Sequence, residues 1–229
     1  MKQTYITTHN YSRFHDLCAE LASPGLIGPS LALVSGPAGW GKTEAAATYY
    51  TQYGTAVVVD ALNIRTYVMM LREICFKLVG VRPFKAEACL AVLGEALGRE
   101  RRLIVIDEAD LLEMKVIEML RNLNERFGAP LILVTEEKSP RKWADRQRLM
   151  SRIRRRLEFA PVSRSEVVLA YREWLSTELD PVVAQIFQAD SQGSFRRPLT
   201  RADEVERALR ASALSTVSPT MAKEICGRG

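Results

Sequence analysis

Histidine and cysteine are scarce in this chain, and their scarcity removes whole classes of chemistry. Two histidines and four cysteines stand among 229 residues. Cys18, Cys75, Cys89 and Cys226 lie far apart, with no Cys-x-x-Cys pair and no histidine cluster. Neither a zinc site nor a redox dithiol is expected, and the cysteines read as reduced thiols. No apolar run approaches the length of a membrane span, and Met1-Lys2-Gln3-Thr4 leads into a polar stretch with His9, Asn10 and Asp16 instead of a signal peptide. A soluble, cytoplasmic protein with no membrane partner is expected. Repeats and low-complexity segments are missing too. Charge of one sign is not in large excess: 32 basic against 27 acidic residues leave +5, which only weakly favours an anionic partner.

What is present is apolar patterning and glycine in particular places. At 47% hydrophobic, the chain can bury one α/β core with a small appendage. Leu31-Ala32-Leu33-Val34-Ser35 reads as a buried strand, and it runs into Gly36-Pro37-Ala38-Gly39-Trp40-Gly41-Lys42-Thr43-Glu44, a G-x-x-x-x-G-K-T loop followed by helix formers. Glycines there let backbone N–H groups turn inward around a polyphosphate, and the following helix adds its positive end. Lys42 reaches the β- and γ-phosphates of such a ligand, and the Thr43 hydroxyl ligates Mg²⁺. ATP with Mg²⁺ is the cofactor expected, and Gly36 to Glu44 are its candidate binding residues.

A second apolar run, Leu103-Ile104-Val105-Ile106, ends in Asp107-Glu108. A run apolar on both faces reads as a parallel strand, which presents functional groups at its carboxyl end. Asp107 would hold Mg²⁺ through its water shell, and Glu108 would polarise an attacking water. Asp107-Glu108-Ala109-Asp110 also spells a helicase box, but 229 residues cannot hold two helicase lobes.

Strand and helix signals alternate. Strands are expected at 31–35, 55–60, 103–106, 131–134 and 156–159; helices at 42–53, 66–79, 86–99, 111–127 and about 141–153. After Pro161 the strands cease, and Ser163-Arg164-Ser165-Glu166 resembles a capping signal for the first of several amphipathic helices. The expected architecture is an α/β P-loop core with a five-stranded parallel sheet between helices (1–160) and a small helical lid (161–229). Eight basic residues (Arg141, Lys142, Arg146, Arg148, Arg152, Arg154, Arg155, Arg156) face one acid, Asp145, between positions 141 and 156. Such a run is either a solvated face or a contact with nucleic acid or a neighbour's phosphates.

The order of motifs resembles the AAA+ ATPases. Thr135 stands where those proteins keep the polar sensor 1 residue, with Glu136 as its close competitor. Leu149-Met150-Ser151-Arg152-Ile153 looks like their Ser-Arg motif, whose arginine acts in trans on the adjacent subunit of a homo-oligomer; Arg154, Arg155 and Arg156 are the competitors. Gly193-Ser194-Phe195-Arg196 looks like sensor 2, with Arg197 as competitor. Within AAA+ the chain looks most like DNA-transposition ATPases of the MuB/TnsC kind. That resemblance implies an ATPase that polymerises with ATP on duplex DNA, without sequence preference, and presents it to a transposase in a bacterial or phage-infected cell. It places DNA contacts at Arg65, Thr66 and Lys115, which read equally well as ordinary exposed residues. The P-loop begins 35 residues in, which leaves no room for an N-terminal helix-turn-helix domain, so a minimal TnsC-like member is expected. A replication initiator- or clamp-loader-like ATPase, and a signalling or secretion ATPase acting on protein, are the alternatives.

Overall fold

A computed structural model describes residues 6–23, 30–136, 138, 143 and 146–227. They fall into two compact units. One comprises Tyr11–Pro37 and Lys42–Phe159; the other gathers the residues from 160 onward with Ala38–Gly41 and the described residues up to Asn10.

The first unit is built on five parallel strands: β1 (Leu31–Ser35), β2 (Ala56–Asp60), β3 (Leu103–Asp107), β4 (Leu131–Thr135) and β5 (Ile153–Glu158), in the order β2-β3-β4-β1-β5. Every residue of β1, β3 and β4 is buried, as continuous apolar runs require when both faces of a sheet are covered. Leu33, Val59, Ile106 and Leu133 share one core cluster with side chains of α3 (Tyr67–Val79), α4 (Ala86–Arg99) and α5 (Met114–Phe127). Leu133→Ala would open a cavity there at about 2–5 kcal/mol. Polar residues close the strands at one end: Ser35 is in register with Thr135, and Asp60 with Asp107. β1 leads in sequence to β2, which lies beyond β4 and β3. The carboxyl end of β1 is therefore a topological switch point, where open α/β sheets place ligands.

Four expectations need correction. Helix α1 (His9–Ala22) was not anticipated, although Phe14, Cys18 and Leu21 recur at helical spacing and are fully buried. The helix expected over 111–127 is broken: a 3₁₀ turn, Ala109–Leu111, precedes α5, with extended backbone at Leu112 and Glu113. The last strand starts three residues earlier than expected, at Ile153. Three consecutive arginines look unlike a strand, but β5 is an edge: Ile153 and Leu157 face inward while Arg154 and Arg156 stay exposed. Residues 141, 142, 144 and 145 of the helix expected over about 141–153 lie outside the described residues. Of the remainder, Gln147–Met150 forms a single turn (α6), and Ser151 and Arg152 a turn before β5.

The second unit holds α7 (Arg164–Leu175), α8 (Pro181–Ser191), α9 (Arg196–Ser212) and α10 (Pro219–Cys226) around Tyr171, Phe187, Val205 and Ile225. Its helix starts are written in sequence. Ser163 and Glu166 form a reciprocal capping box, and Asp180-Pro181 and Ser218-Pro219 each pair a side-chain cap with proline in the first turn. Arg201 ties α9 to α8 through Asp190, 3.1 Å away, and to the Cys226 carbonyl of α10.

Candidate nucleotide site and its arginines

The loop between β1 and α2 (Lys42–Tyr53) takes its shape from its glycines. Gly39 and Gly41 have φ of 79° and 90°, a region that side chains with a Cβ avoid. At Gly36 a Cβ would lie 3.0 Å from Phe159 Cβ, tighter than ordinary carbon contact. Lys42 is 8% exposed, and its ammonium donates to the Gly36 carbonyl at 2.5 Å and the Pro37 carbonyl at 3.0 Å. The lysine is thus folded over the mouth of its own loop. Burial lowers its pKa, against the opposing pull of Glu136, Asp107, Asp110 and Glu108. Thr43 and Glu44 sit exposed in the first turn of α2, and Pro37 and Ala38 are also exposed, with Trp40 half-buried.

Asp107 is buried at the end of β3, where one carboxylate oxygen accepts from the Glu108 N–H at 3.0 Å. Glu108 has left-handed backbone (φ 54°, ψ 37°), which costs a non-glycine residue about 1–2 kcal/mol. Such strain clusters at working sites. Burial pushes the Glu108 carboxyl above its ordinary pKa, as do the neighbouring charges of Asp60, Asp107, Asp110 and Glu136. Thr135 is 1% exposed at the end of β4.

These residues fit Mg²⁺-nucleotide. Carboxylate charge gathers around a single buried ammonium, and Thr43 and Asp107 offer the hard oxygens that Mg²⁺ takes. Among the described residues no group of three or more His, Cys, Asp or Glu forms a ready metal cage. Mg²⁺ ordinarily relies on one or two carboxylates, water and substrate phosphates.

The loop tip, Ala38–Gly41, belongs with the helical unit. The Gly39 carbonyl accepts from the Phe195 N–H at 3.0 Å and from the Ser194 hydroxyl at 3.2 Å. Gly193 (φ 85°) lies under the Trp40 indole, with no space for a methyl group. Arg196 opens α9, exposed, with its Cδ close to Gly39. Its competitor Arg197 is tied back to the Asp190 carbonyl at 2.9 Å.

A family model described as an AAA domain matches residues 27–143, just over half of the chain. The chain belongs to the AAA domain family. It is similar to the ATP-dependent target DNA activator B of Escherichia phage D108, with 28% identity over 153 residues, 63% of this chain and 49% of that one. It therefore spans about half the length of that curated relative. Among solved structures, the ORC2 protein of Aeropyrum pernix superposes with a TM-score of 0.70 at 15% identity, covering 99% of this chain and 70% of that one. Cdc6p of Pyrobaculum aerophilum gives 0.71 at 17% (98% and 69% covered), and the RuvB motor of Thermotoga maritima 0.63 at 18% (97% and 70%). At such identities the likeness is one of fold: a P-loop AAA+ fold with a five-stranded parallel sheet.

Other candidate residues of this AAA protein stand on other elements. Arg152, in the turn before β5, is held by Glu125 of α5 at 2.7 Å, and Glu125 also binds Arg121. Arg155 pairs with Glu20 of α1, while Arg154 and Arg156 point outward from β5. Arg65 is exposed before α3, and Thr66 is the N-cap of α3, its hydroxyl accepting from the Met69 N–H at 3.2 Å. Lys115 is exposed in the first turn of α5.

Sequence reading passed over Asp60, Asp110 and Glu125. Asp60 ends its strand as Asp107 does, a signal present in the sequence; Glu125 is one of two acids on α5, and nothing local marks it as the partner of Arg152.

Proposed function

We propose that this protein is an ATPase that binds duplex DNA without sequence preference, assembles on it with ATP, and activates a transposase there. The observation that carries the reading is a complete P-loop and Asp107-Glu108 site in a chain similar to a protein named as an ATP-dependent target DNA activator. Work of that kind, in a bacterial or phage-infected cell, would be cytoplasmic.

In this reading Lys42 leaves the Gly36 and Pro37 carbonyls for the β- and γ-phosphates, and the N–H groups of Gly36 to Thr43 cradle them, with Glu44 in the helix turn behind. Thr43 and Asp107 would hold Mg²⁺, which would supply charge neutralisation at the phosphates. Glu108 takes the proton of the attacking water, a role suited by its raised pKa. Thr135 helps to align that water, and Arg196 folds onto the γ-phosphate from the lid. Arg152 of a neighbouring copy stabilises charge on the transferring group, for which it must first release Glu125.

Arg65, Thr66 and Lys115 contact phosphates. Phosphates carry no base information, so binding is sequence-blind and falls steeply with salt. The test is electron microscopy of the protein with random-sequence duplex. Filaments that form with ATP and are lost with ADP support the proposal. A protein that turns over ATP yet ignores DNA in gel shifts at low salt refutes it.

A further inference from the structure

We propose that the groove between α3, α4 and α5 is a docking site for an acidic amphipathic helix of a partner protein. The groove is open and encloses about 580 Å³. Its floor is apolar, formed by Leu90, Met114, Met119 and Leu123. The methionines are half-buried and pack against the core beneath. Unbranched thioether side chains adapt to whatever is laid on them, which suits a peptide-binding surface.

The rim has the opposite character. Arg126 and Arg146 stand on it, both exposed, and neither is paired with a carboxylate among the described residues; Lys115, which also lines the groove, is left to the phosphate contact proposed above. The one acid lining the groove, Glu118, is taken by Arg121 at 2.8 Å. An apolar floor beside cations that have no carboxylate partner among the described residues is complementary to a segment with apolar residues on one face and carboxylates beside them.

Other occupants match less well. Duplex DNA would satisfy the rim but set its charged backbone against Leu90 and Met119, which gain nothing from phosphate. A second copy brings the wrong charge: among the described residues its most exposed large apolar side chain, Phe84 at 84%, carries Arg72 over its ring at 5.7 Å and follows Arg82 closely. The walls of the groove are helices, whose backbone groups are satisfied internally, so no strand can be added there. A helix laid in the groove, anchored at i, i+3, i+4 and i+7, is the mode that remains.

The probe is a fluorescein-labelled peptide of about eighteen residues with leucines at those spacings and glutamates flanking them, titrated into the full chain and followed by polarisation. Binding at micromolar peptide is expected, weakened roughly tenfold or more by Met119→Gln and, separately, by Arg126→Glu with Arg146→Glu. A peptide with lysine in place of glutamate should be ignored by the parent and gained by the Arg126→Glu, Arg146→Glu variant; misfolding cannot mimic that gain. No binding at about 100 μM, or equal binding of both peptides to both proteins, overturns the proposal. So does loss of duplex affinity in the double variant without any peptide effect, which would assign the rim to nucleic acid. A fall in oligomer mass on Met119→Gln, with the acidic peptide inert, would assign the groove to a second copy and overturn it equally.

Discussion

Replacing Gly193 by alanine perturbs the loop tip Ala38–Gly41 from within the helical unit, without replacing any residue of the loop itself. At φ 85° a Cβ is strained by about 1–2 kcal/mol. The methyl would also lie 2.8 Å from Trp40 Cζ2 and 2.9 Å from Pro161 Cβ, well inside the 3.5–4.0 Å of favourable carbon contact. Overpacking of this kind costs about 1–3 kcal/mol. The sum, about 2–5 kcal/mol, corresponds to a fall of roughly 4–20 °C in Tm for a chain of this size. Part of the strain can be relieved by moving Trp40, and with it the Gly39 carbonyl held by Phe195 and Ser194. Nucleotide affinity should then drop about tenfold, because a cradle of N–H groups tolerates little misplacement. Calorimetry of unfolding and titration with a fluorescent ATP analogue measure the two effects. Adding Trp40→Ala should restore part of both, since it removes the indole that the methyl strikes. Parental Tm and parental affinity in Gly193→Ala would refute the packing argument outright.

Other perturbations bear on the site directly. Lys42→Ala removes a charged donor to phosphate, worth about 1.5–3 kcal/mol, so nucleotide should bind roughly ten- to a hundredfold more weakly in equilibrium titration. Glu108→Gln should retain nucleotide and lose turnover in a phosphate-release assay. The same variant should melt higher than the parent at pH 7 without metal or nucleotide. Glu108 titrates above its unfolded value, so its ionisation opposes folding as pH rises through that range; the difference should vanish near pH 4. Arg152→Ala should bind ATP yet hydrolyse it about 10³-fold more slowly. Mixed with Lys42→Ala it should recover activity, and a dead mixture of co-assembling mutants would remove Arg152 from a role in trans. Glu125→Gln, which frees Arg152 from its 2.7 Å partner, should raise turnover at protein concentrations where assembly is incomplete.

The strands of the sheet centre were legible because burial on both faces demands continuous apolar runs, as in Leu31–Ser35 and Leu103–Asp107. Helix starts were legible where a cap is local, as with Ser163 and Glu166, whose bonds span three residues. The phosphate loop was legible for the same reason: its residue types answer to backbone geometry within eight positions of chain, Gly36 to Thr43. α1 is the exception: its buried face, Phe14, Cys18 and Leu21, recurs at helical spacing and was passed over all the same. β5 was misread because its arginines are tolerated only at a sheet edge, and edges are defined by strand order, which composition does not encode.

Tertiary structure alone decided the contacts between residues distant in sequence. Glu125 holds Arg152 across 27 positions, Gly39 receives Ser194 across 155, and the charge of Asp60 bears on Glu108 only because β2 lies beside β3. Local sequence determines which conformations are cheap over a few residues. Which charge meets which, and therefore whether an arginine is parked or free and a glutamate ordinary or raised in pKa, depends on distances that only the folded chain sets.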